Sequence, residues 1–294
     1  MIITKIRIQE EHPMTRGVNS WPLQSVDLEL NPLAGANGYL LNASSGLGPP
    51  TLKKVVDGFD TYGRPIYTSI SDKREMAFKV ALQPGTLRSI SSLRDDLYRF
   101  LSRSVRVSFM NGANVVAYSI GFVNKLEPSL FTSNPEFILT IESKKGELLS
   151  PTTIDVPVST LNTITPTINY ELGTAPVGFY MAFTVTADHT GFVFNNHANV
   201  WYEGTDPIST AFAITRNLRV GDLISISTVP GNRFIHLLDP VPGPAFDFYD
   251  LSGTINQGAV WPTLYSGVNV FNWDIATSWA TITAFNYVPE YWGV

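Results

Sequence analysis

Short runs of alternating apolar and polar residues, separated by turn-forming residues, constrain the fold of this chain most. In the second half such runs recur at intervals of about 8 to 12 residues, which is typical of an antiparallel β-sandwich. They are GFYMAFTVTA, GFVFNN, ANVWYEG, STAFAITR, LISIST, RFIHLL, VNVFNW and WATITAFNYV. The 294 residues include no cysteine, so disulfides, thiolate nucleophiles and cysteine-bound zinc are excluded.

The charge changes sharply near residue 150, which predicts a domain boundary. Residues 1–150 hold 17 Lys and Arg against 14 Asp and Glu (+3), and residues 151–294 hold 3 against 11 (−8). We predict a first domain at 1–150, a Ser-, Thr- and Pro-rich linker at 151–165 and a sandwich domain at 166–294. The second domain has too few Lys and Arg to neutralise nucleic-acid phosphates.

The first half also reads as β-structure, with one helix. REMAFKVALQP has the period of a half-buried strand, with Met76, Phe78, Val80 and Leu82 on one face. Apolar residues spaced by three and four then predict a helix from Ser89 to Ser102. Strand patterns resume at once, and Asn111-Gly112 between two alternating runs predicts a hairpin. The predicted fold class is therefore mainly β, all-β with one α-helix.

A second predicted hairpin carries two residues that could form part of an active site. In GDLISISTVPGNRFIHLL, Pro230 and Gly231 suit a type II turn. Asp222 and His236 stand at the two outer ends of the alternating runs, where an antiparallel pairing allows them to meet. Turn formation explains Asp222, and strand histidines are usually structural, so we favour a scaffold role.

Other candidate chemistry has a structural explanation in each case. A metal site could draw on Asp188, His189, His197 and Glu203, but their spacing matches no ligand motif. Asp247 and Asp250 could form the acid pair of a glycosidase, although turn capping explains them as well. We predict no catalytic residue, no cofactor and no bound metal.

Aromatic residues concentrate in the acidic half. Those with a possible role in glycan or protein contact are Trp201, Tyr202, Trp261 and Tyr265. Exposed rings of this kind stack on sugar faces, whereas buried ones belong to a core. A virion glycan-binding module is therefore the alternative function that we keep.

Neither export nor membrane insertion is indicated. The start of the chain alternates like a strand and has no apolar signal segment. The long uncharged run 251–273 is interrupted by Gly, Pro and Asn, as strands and turns are.

Several segments taken together resemble a known family. SSGLGPP, VDGFDTYGRPIYTSISDKREMAFKVALQP, LRDDLYRFL and GFVNKLEPSLFTSNPEFILTIES are similar to the N-terminal belt domain of the distal tail (Dit) proteins of long-tailed, non-contractile bacteriophages. RVGDLISISTVPGNRFIHL, WPTLYSGVNVFNW and ITAFNYVPEYWGV resemble that family's C-terminal galectin-like or carbohydrate-module-like sandwich.

The resemblance implies a structural protein of the virion tail tip, made in the host cytoplasm. It implies a homo-oligomeric ring, a hexamer, that joins the tail tube protein to the tail hub and receptor-binding fibres and leaves a channel through which DNA passes. The family is not enzymatic. For contacts between subunits we predict Asn111, Gly112, Leu130 and Phe131. The charged fraction of 15% against a usual value of about 25% suits a chain that covers surface in permanent contacts.

Overall fold

The computed structural model describes residues 2–11, 24–30, 38–59, 65–84, 88–101, 103–128, 135–163, 165–198, 209–239, 247–251, 261–273 and 279–294. The chain divides into two compact units. The first unit comprises residues 1–53, 69–151 and 291–294, and the second unit comprises residues 54–68 and 152–290. The prediction of a mainly β protein is confirmed.

The described residues up to 151 form ten strands and one helix. They are β1 (Lys5–Glu10), β2 (Ser25–Glu29), β3 (Tyr39–Ser45), β4 (Leu52–Phe59), β5 (Pro65–Ser71), β6 (Arg74–Leu82), α1 (Ile90–Tyr98), β7 (Ser104–Asn111), β8 (Asn114–Pro128), β9 (Glu136–Ser143) and β10 (Leu148–Leu149). The remaining strands are β11 (Ile154–Asp155), β12 (Thr167–Tyr170), β13 (Phe179–Val185), β14 (His189–Ala198), β15 (Ser209–Leu218), β16 (Leu223–Ser227), β17 (Phe234–Asp239), β18 (Asp247–Asp250), β19 (Gly267–Trp273), β20 (Ala280–Tyr287) and β21 (Glu290–Tyr291).

The sheet of the first unit closes into a barrel. Its strands follow the order β8-β7-β1-β2-β3-β6-β9, and β9 pairs back with β8. Only the pairing of β2 with β3 is parallel among these. The long strand β8 makes the closure possible, because it pairs with β7 along one edge and with β9 from Gly121 onward along the other. Beside β9, it also pairs with β10 at Tyr118. β10 and β21 continue the sheet beyond β8.

Apolar side chains lie inside the barrel, as they do in small barrels, whose interior is just wide enough for side chains. The predicted inward set, Met76, Phe78, Val80 and Leu82, is buried. Leu93 and Leu97 of α1 join the same core, and so does Phe100 beyond the helix. The described residues thus form one apolar core inside the barrel.

The helix is shorter than its sequence pattern predicts. It begins after Ser89, whose side chain accepts a hydrogen bond from the Ser92 amide, and it ends at Tyr98. Phe100 and Leu101 donate their amides three residues back, to Leu97 and Tyr98, which tightens the last turn. Leu101 then forms a parallel bridge with Val123, so the chain leaves the helix along the barrel wall.

The second unit is a sandwich of two antiparallel sheets. One has the order β11-β20-β13-β16-β17-β18 and the other β12-β19-β14-β15. Aromatic rings join the sheets: Phe183 packs edge-on to Phe192 with ring centroids 5.3 Å apart, and Phe179 packs against Phe271 at 5.9 Å. The galectin-like character of this sandwich stays a prediction.

The segment predicted as a linker contributes to the second unit. Ile154–Asp155 pairs with Tyr287 and Asn286 of β20, and Leu161 is fully buried in the sandwich core. A short 3-10 turn at Val158–Thr160 lies between them.

Candidate assembly surfaces and the predicted site residues

The β7–β8 hairpin presents an exposed tip. Asn111 pairs with Asn114 across the turn, which confirms the predicted hairpin. Asn111 and Gly112 are both exposed. Gly112 has a φ of +59°, and its amide donates to Thr4 Oγ1 at 2.8 Å, so the turn is tied to the start of β1. The tip is therefore fixed in place and open to a neighbouring molecule, whereas Leu130 and Phe131 lie outside the described residues.

The outer surface of β1 and β2 carries a three-membered charge cluster. Arg7 Nε and Nη2 donate to the two carboxylate oxygens of Asp27 at 2.6 and 2.9 Å, and Lys5 Nζ donates to Asp27 Oδ2 at 2.9 Å. The Asp27 side chain is only 13% exposed. The hydrogen bond from Arg7 is the main cause that lowers the pKa of Asp27, and it raises the pKa of Arg7.

This cluster predicts an acid-sensitive contribution to stability. The folded pKa of Asp27 lies below its unfolded value, so the contribution is complete above about pH 4 and is lost as the pH falls through the folded pKa. Asp27→Asn should lower the free energy of unfolding by about 1 kcal/mol at pH 7. The difference from the parent should shrink toward pH 2 in urea titrations.

The exposed pair of Lys125 with Glu127 supplies the control for this prediction. Glu127→Gln should change stability little at any pH, because exposed ion pairs contribute little. An equal loss in both variants, or a loss in Asp27→Asn that does not depend on pH, would contradict the prediction.

The strands that close the barrel expose apolar side chains. Phe122 is 43% and Ile138 is 41% exposed. Lys144 Nζ lies 4.9 Å from the Phe122 ring centroid, and Lys79 Nζ forms an ion pair with Glu136 at 2.8 Å. Single exposed apolar residues are ordinary, but this combination of apolar and charged groups also suits contact with another protein.

The buried Arg74 side chain bonds residues 291–294 to the other segments of the first unit. It is 3% exposed, and its guanidinium donates to four backbone carbonyls at 2.6 to 2.9 Å. The acceptors are Gly46, Gly48, Gly146 and Trp292. Burial lowers the pKa of Arg74, a cost that the four acceptors offset. Arg74 lies two residues before Met76 and therefore on the same face of β6, so the alternating pattern could have predicted its burial.

The metal candidates that the structure describes are not brought together. His189 and His197 stand eight residues apart along β14, or about 25 Å at the rise of an extended strand. The His189 ring stacks on Trp279 with centroids 4.3 Å apart, and Asp188 Oδ1 accepts from the Val220 amide. Glu203 lies outside the described residues. Among the residues that the structure describes, no group of three or more His, Asp or Glu could hold a metal ion.

The structure locates both carboxylate candidates in one strand. Asp247 and Asp250 are the first and last residues of β18. Asp222 is buried in the turn before β16, where its Oδ2 accepts from the Arg219 amide at 2.8 Å. The register sets His236 opposite Ser225 and Asp250, so Asp222 and His236 are not partners. These positions support the scaffold interpretation of the hairpin, whose Gly231 has the expected positive φ of +81°.

Two of the four aromatic candidates can be located. Trp261 is half-buried against the sandwich core, with the Arg233 guanidinium 5.8 Å from its ring centroid. Tyr265 is also half-buried, and its backbone is held by the Asn269 side chain through bonds of 2.9 and 2.8 Å. Trp261 thus has a structural role in the sandwich, and its role as a contact residue, like that of Tyr265, stays a prediction. Trp201 and Tyr202 lie outside the described residues.

No helix among the described residues is long and apolar enough to cross a membrane.

Comparison with known proteins finds solved structures that are similar to this chain in fold. No family model and no curated protein matches the sequence. The crystal structure of the SPP1 Dit (gp 19.1) protein, a paradigm of the hub adsorption apparatus in phages that infect Gram-positive bacteria, superposes with a TM-score of 0.52 at 11% identity. The match covers 86% of this chain and 93% of that one. Two structures of the phage P2 baseplate in its activated conformation, with Ca and with Sr, match at a TM-score of 0.38 and 11% identity, over 100% and 99% of this chain and 100% of each of those chains.

Proposed function

We propose that this chain, which has the fold of the SPP1 Dit protein, is a structural component of a phage tail tip. The observation that carries the proposal is the joint match of barrel and sandwich to one protein of a hub adsorption apparatus, over 86% of the chain. The segments that resemble the Dit family lie in both halves and in the same order. The chain would then reside in the virion at the distal end of the tail.

The first unit is the proposed ring-forming part. The described residues of its barrel form an apolar core, so we place the passage for DNA between copies of the chain. A repeated head-to-tail contact that closes on itself makes such an opening. We assign the contact to the first unit, with the tip at Asn111 and Gly112 and the outer face at Phe122 and Ile138 as candidate contact points. We propose six copies, with the tail tube protein on one side and the hub and receptor-binding fibres on the other.

No catalytic role is part of the proposal. Among the described residues no group of three or more His, Asp or Glu could hold a metal ion, and the protein similar in fold is a hub component. The alternative function, contact with host sugars through Trp201, Tyr202, Trp261 and Tyr265, has less support, because the described ring of Trp261 packs against the sandwich core.

The ring predicts a discrete oligomer. At high concentration the purified protein should give one species with the mass of six 32.4-kDa chains, and negative-stain images should show rings with a central opening. Phe122→Glu combined with Ile138→Glu should shift the population to monomers, because charges would enter an apolar contact. The measurement is light scattering coupled to size exclusion.

Thr281→Ala, a substitution at an exposed position of the second unit, serves as the control and should still form rings. A protein that stays monomeric at all concentrations, and does not join rings when mixed with tail tube protein, would overturn the proposal.

A further inference from the structure

We propose that the outer face of β1, β7 and β8 binds a carboxylate of a second copy of the chain through Arg106 and Ser108, beside Arg7. This assignment rests on the self-association proposed above. Ser108 in β7 lies opposite Arg7 in β1 on one side and opposite Tyr118 in β8 on the other. Arg106 lies two residues before Ser108 in β7 and therefore on the same face of the sheet.

This face is the outside of the barrel. The residues that alternate with Arg106 and Ser108 along β7 all belong to the buried core: Val105, Val107 and Phe109. The side chains of the proposed site therefore point away from that core. Arg7, Arg106 and Tyr118 are half-buried. Ser108 is only 4% exposed although it lies on the outer face, so it is buried within the outer surface.

Arg106 has an aromatic platform but no acceptor. Its guanidinium carbon lies 3.7 Å from the centroid of the Tyr118 ring, so the guanidinium stacks on that ring. Its Nε is buried and has no hydrogen-bond partner. No described residue forms an ion pair with Arg106, whereas the other described arginines of the first unit all have ion-pair or carbonyl partners: Arg7, Arg74, Arg88, Arg94, Arg99 and Arg103.

The groups around Ser108 can receive an anion. Its hydroxyl forms no hydrogen bond with any residue that the structure describes. On one side of it, Arg7 is already paired with Asp27 through Nε and Nη2. On the other side, the Arg106 guanidinium is unpaired. A carboxylate at this position would accept from the Ser108 hydroxyl and from Arg106, which gives the unpaired donors an acceptor.

The charge of this face selects the class of ligand. The outward positions of β1, β2 and β7 hold three cations and two carboxylates: Lys5, Arg7, Arg106, Asp27 and Glu29. The excess is one positive charge, and Arg106 is the cation without a partner. A guanidinium pairs with one carboxylate through two parallel N–H···O bonds. A nucleic-acid backbone needs several cations along its path, so the ligand that fits is one Asp or Glu side chain.

The acidic half of the chain supplies the complementary charge. Residues 151–294 carry 11 Asp and Glu against 3 Lys and Arg. The strands of the six-stranded sheet contain four aspartates and no Lys or Arg. One of them, Asp155 in the edge strand β11, is exposed. We therefore assign the carboxylate to the second unit of a neighbouring copy. A contact between two different faces of identical chains is the head-to-tail contact that a ring repeats.

The first test is the self-association of the full chain, measured by sedimentation velocity over a range of concentrations at low salt. Arg106→Gln removes the charge and the forked donors and should weaken self-association about tenfold, the effect of losing one charged hydrogen-bonded pair. Arg106→Lys keeps the charge without the fork and should lose less. In about 0.5 M NaCl the difference between the parent and Arg106→Gln should shrink, because salt screens the pair.

Arg94→Gln is the matched control. Arg94 is an exposed residue of α1 that approaches Asp95 only to 3.9 Å, so the substitution removes the same charge from the same unit at another place. This variant should associate as the parent does. Circular dichroism spectra that match the parent show that the variants are folded.

The second test identifies the carboxylate. Unlabelled and heavy-isotope-labelled full chains are mixed and treated with a carbodiimide, which joins an amine to a carboxylate without a spacer. Lys5 lies two residues before Arg7 on the same face and supplies the amine. Mass spectrometry should find Lys5 joined to an Asp or Glu of residues 152–290 of the other chain, and Arg106→Gln should reduce the yield of that product.

The absence of self-association at every concentration, or equal association of the parent and Arg106→Gln, would overturn the assignment. Links from Lys5 that reach only its own chain, or only the first unit of another copy, would overturn it as well. Rings that form unchanged in Arg106→Gln would leave the tail-tip proposal standing, so the two failures are distinguishable.

Discussion

Replacing Arg74 with methionine is expected to lower the free energy of unfolding of the first unit by about 3 to 5 kcal/mol. The guanidinium is buried and donates to four carbonyls from three separate segments of the chain. Methionine fills a similar volume but donates nothing, so these acceptors lose their partner. The change should appear as a lower urea midpoint and as faster hydrogen exchange of the barrel amides.

Arg74→Lys separates charge from geometry. A single ammonium keeps the positive charge but cannot reach all four carbonyls in the fixed planes of a guanidinium, so an intermediate loss is expected. In this variant the amides of residues 291–294 should exchange hydrogen faster than the barrel amides do, since the Trp292 carbonyl is one of the acceptors. A loss below about 1 kcal/mol in Arg74→Met, near that of a single ordinary hydrogen bond, would refute this account.

Gly121→Ala is expected to open the seam at which the barrel closes. A Cβ at this position would lie 2.4 Å from the Glu142 carbonyl oxygen and 2.9 Å from Ser143 Cα, both backbone atoms of β9. Gly121 pairs with Ser143 on one side and Val105 on the other, so it cannot move without breaking a pairing. We expect a loss of about 3 kcal/mol, at the upper end for overpacked sites.

Gly48→Ala is the matched control, because a Cβ at Gly48 meets no atom within 4 Å and its φ is not positive. It should change stability by less than about 1 kcal/mol. Hydrogen exchange should locate the effect of Gly121→Ala at the amides of β9, with the sandwich unaffected. If both alanine variants unfold at the same urea concentration, steric exclusion at the seam is not the reason for this glycine.

Local features were predictable from the sequence. The strand at Met76 to Leu82, the helix after Ser89 and the two hairpins at Gly112 and Gly231 all follow from residue period and turn chemistry, which act within a few residues. The helix end was misplaced because Leu101 continues the apolar spacing, yet it pairs with Val123 of a distant strand. A contact made after the chain folds back is not contained in a local pattern.

The candidate sites depended on more than local pattern. Asp222 and His236 stand at symmetrical ends of their runs, but the register pairs His236 with Ser225 and Asp250. His189 and His197 are close in sequence, yet an extended strand separates them. The alternating pattern of a strand predicts which face of the sheet a residue occupies, but it does not predict which strand lies beside that residue.

The sequence by itself determined the β-rich class, the positions of the turns, the inward faces of the strands and the contrast in charge between the halves, since each depends on neighbours along the chain. Only the tertiary structure decided that the first sheet closes on itself at Gly121 and that Arg74 binds carbonyls of three separate segments. It also decided that Ser225, His236 and Asp250 lie opposite one another on neighbouring strands. These features join residues up to 218 positions apart, as Arg74 and Trp292 are. The free energy that selects such pairings comes from burial in the complete fold and from no single segment.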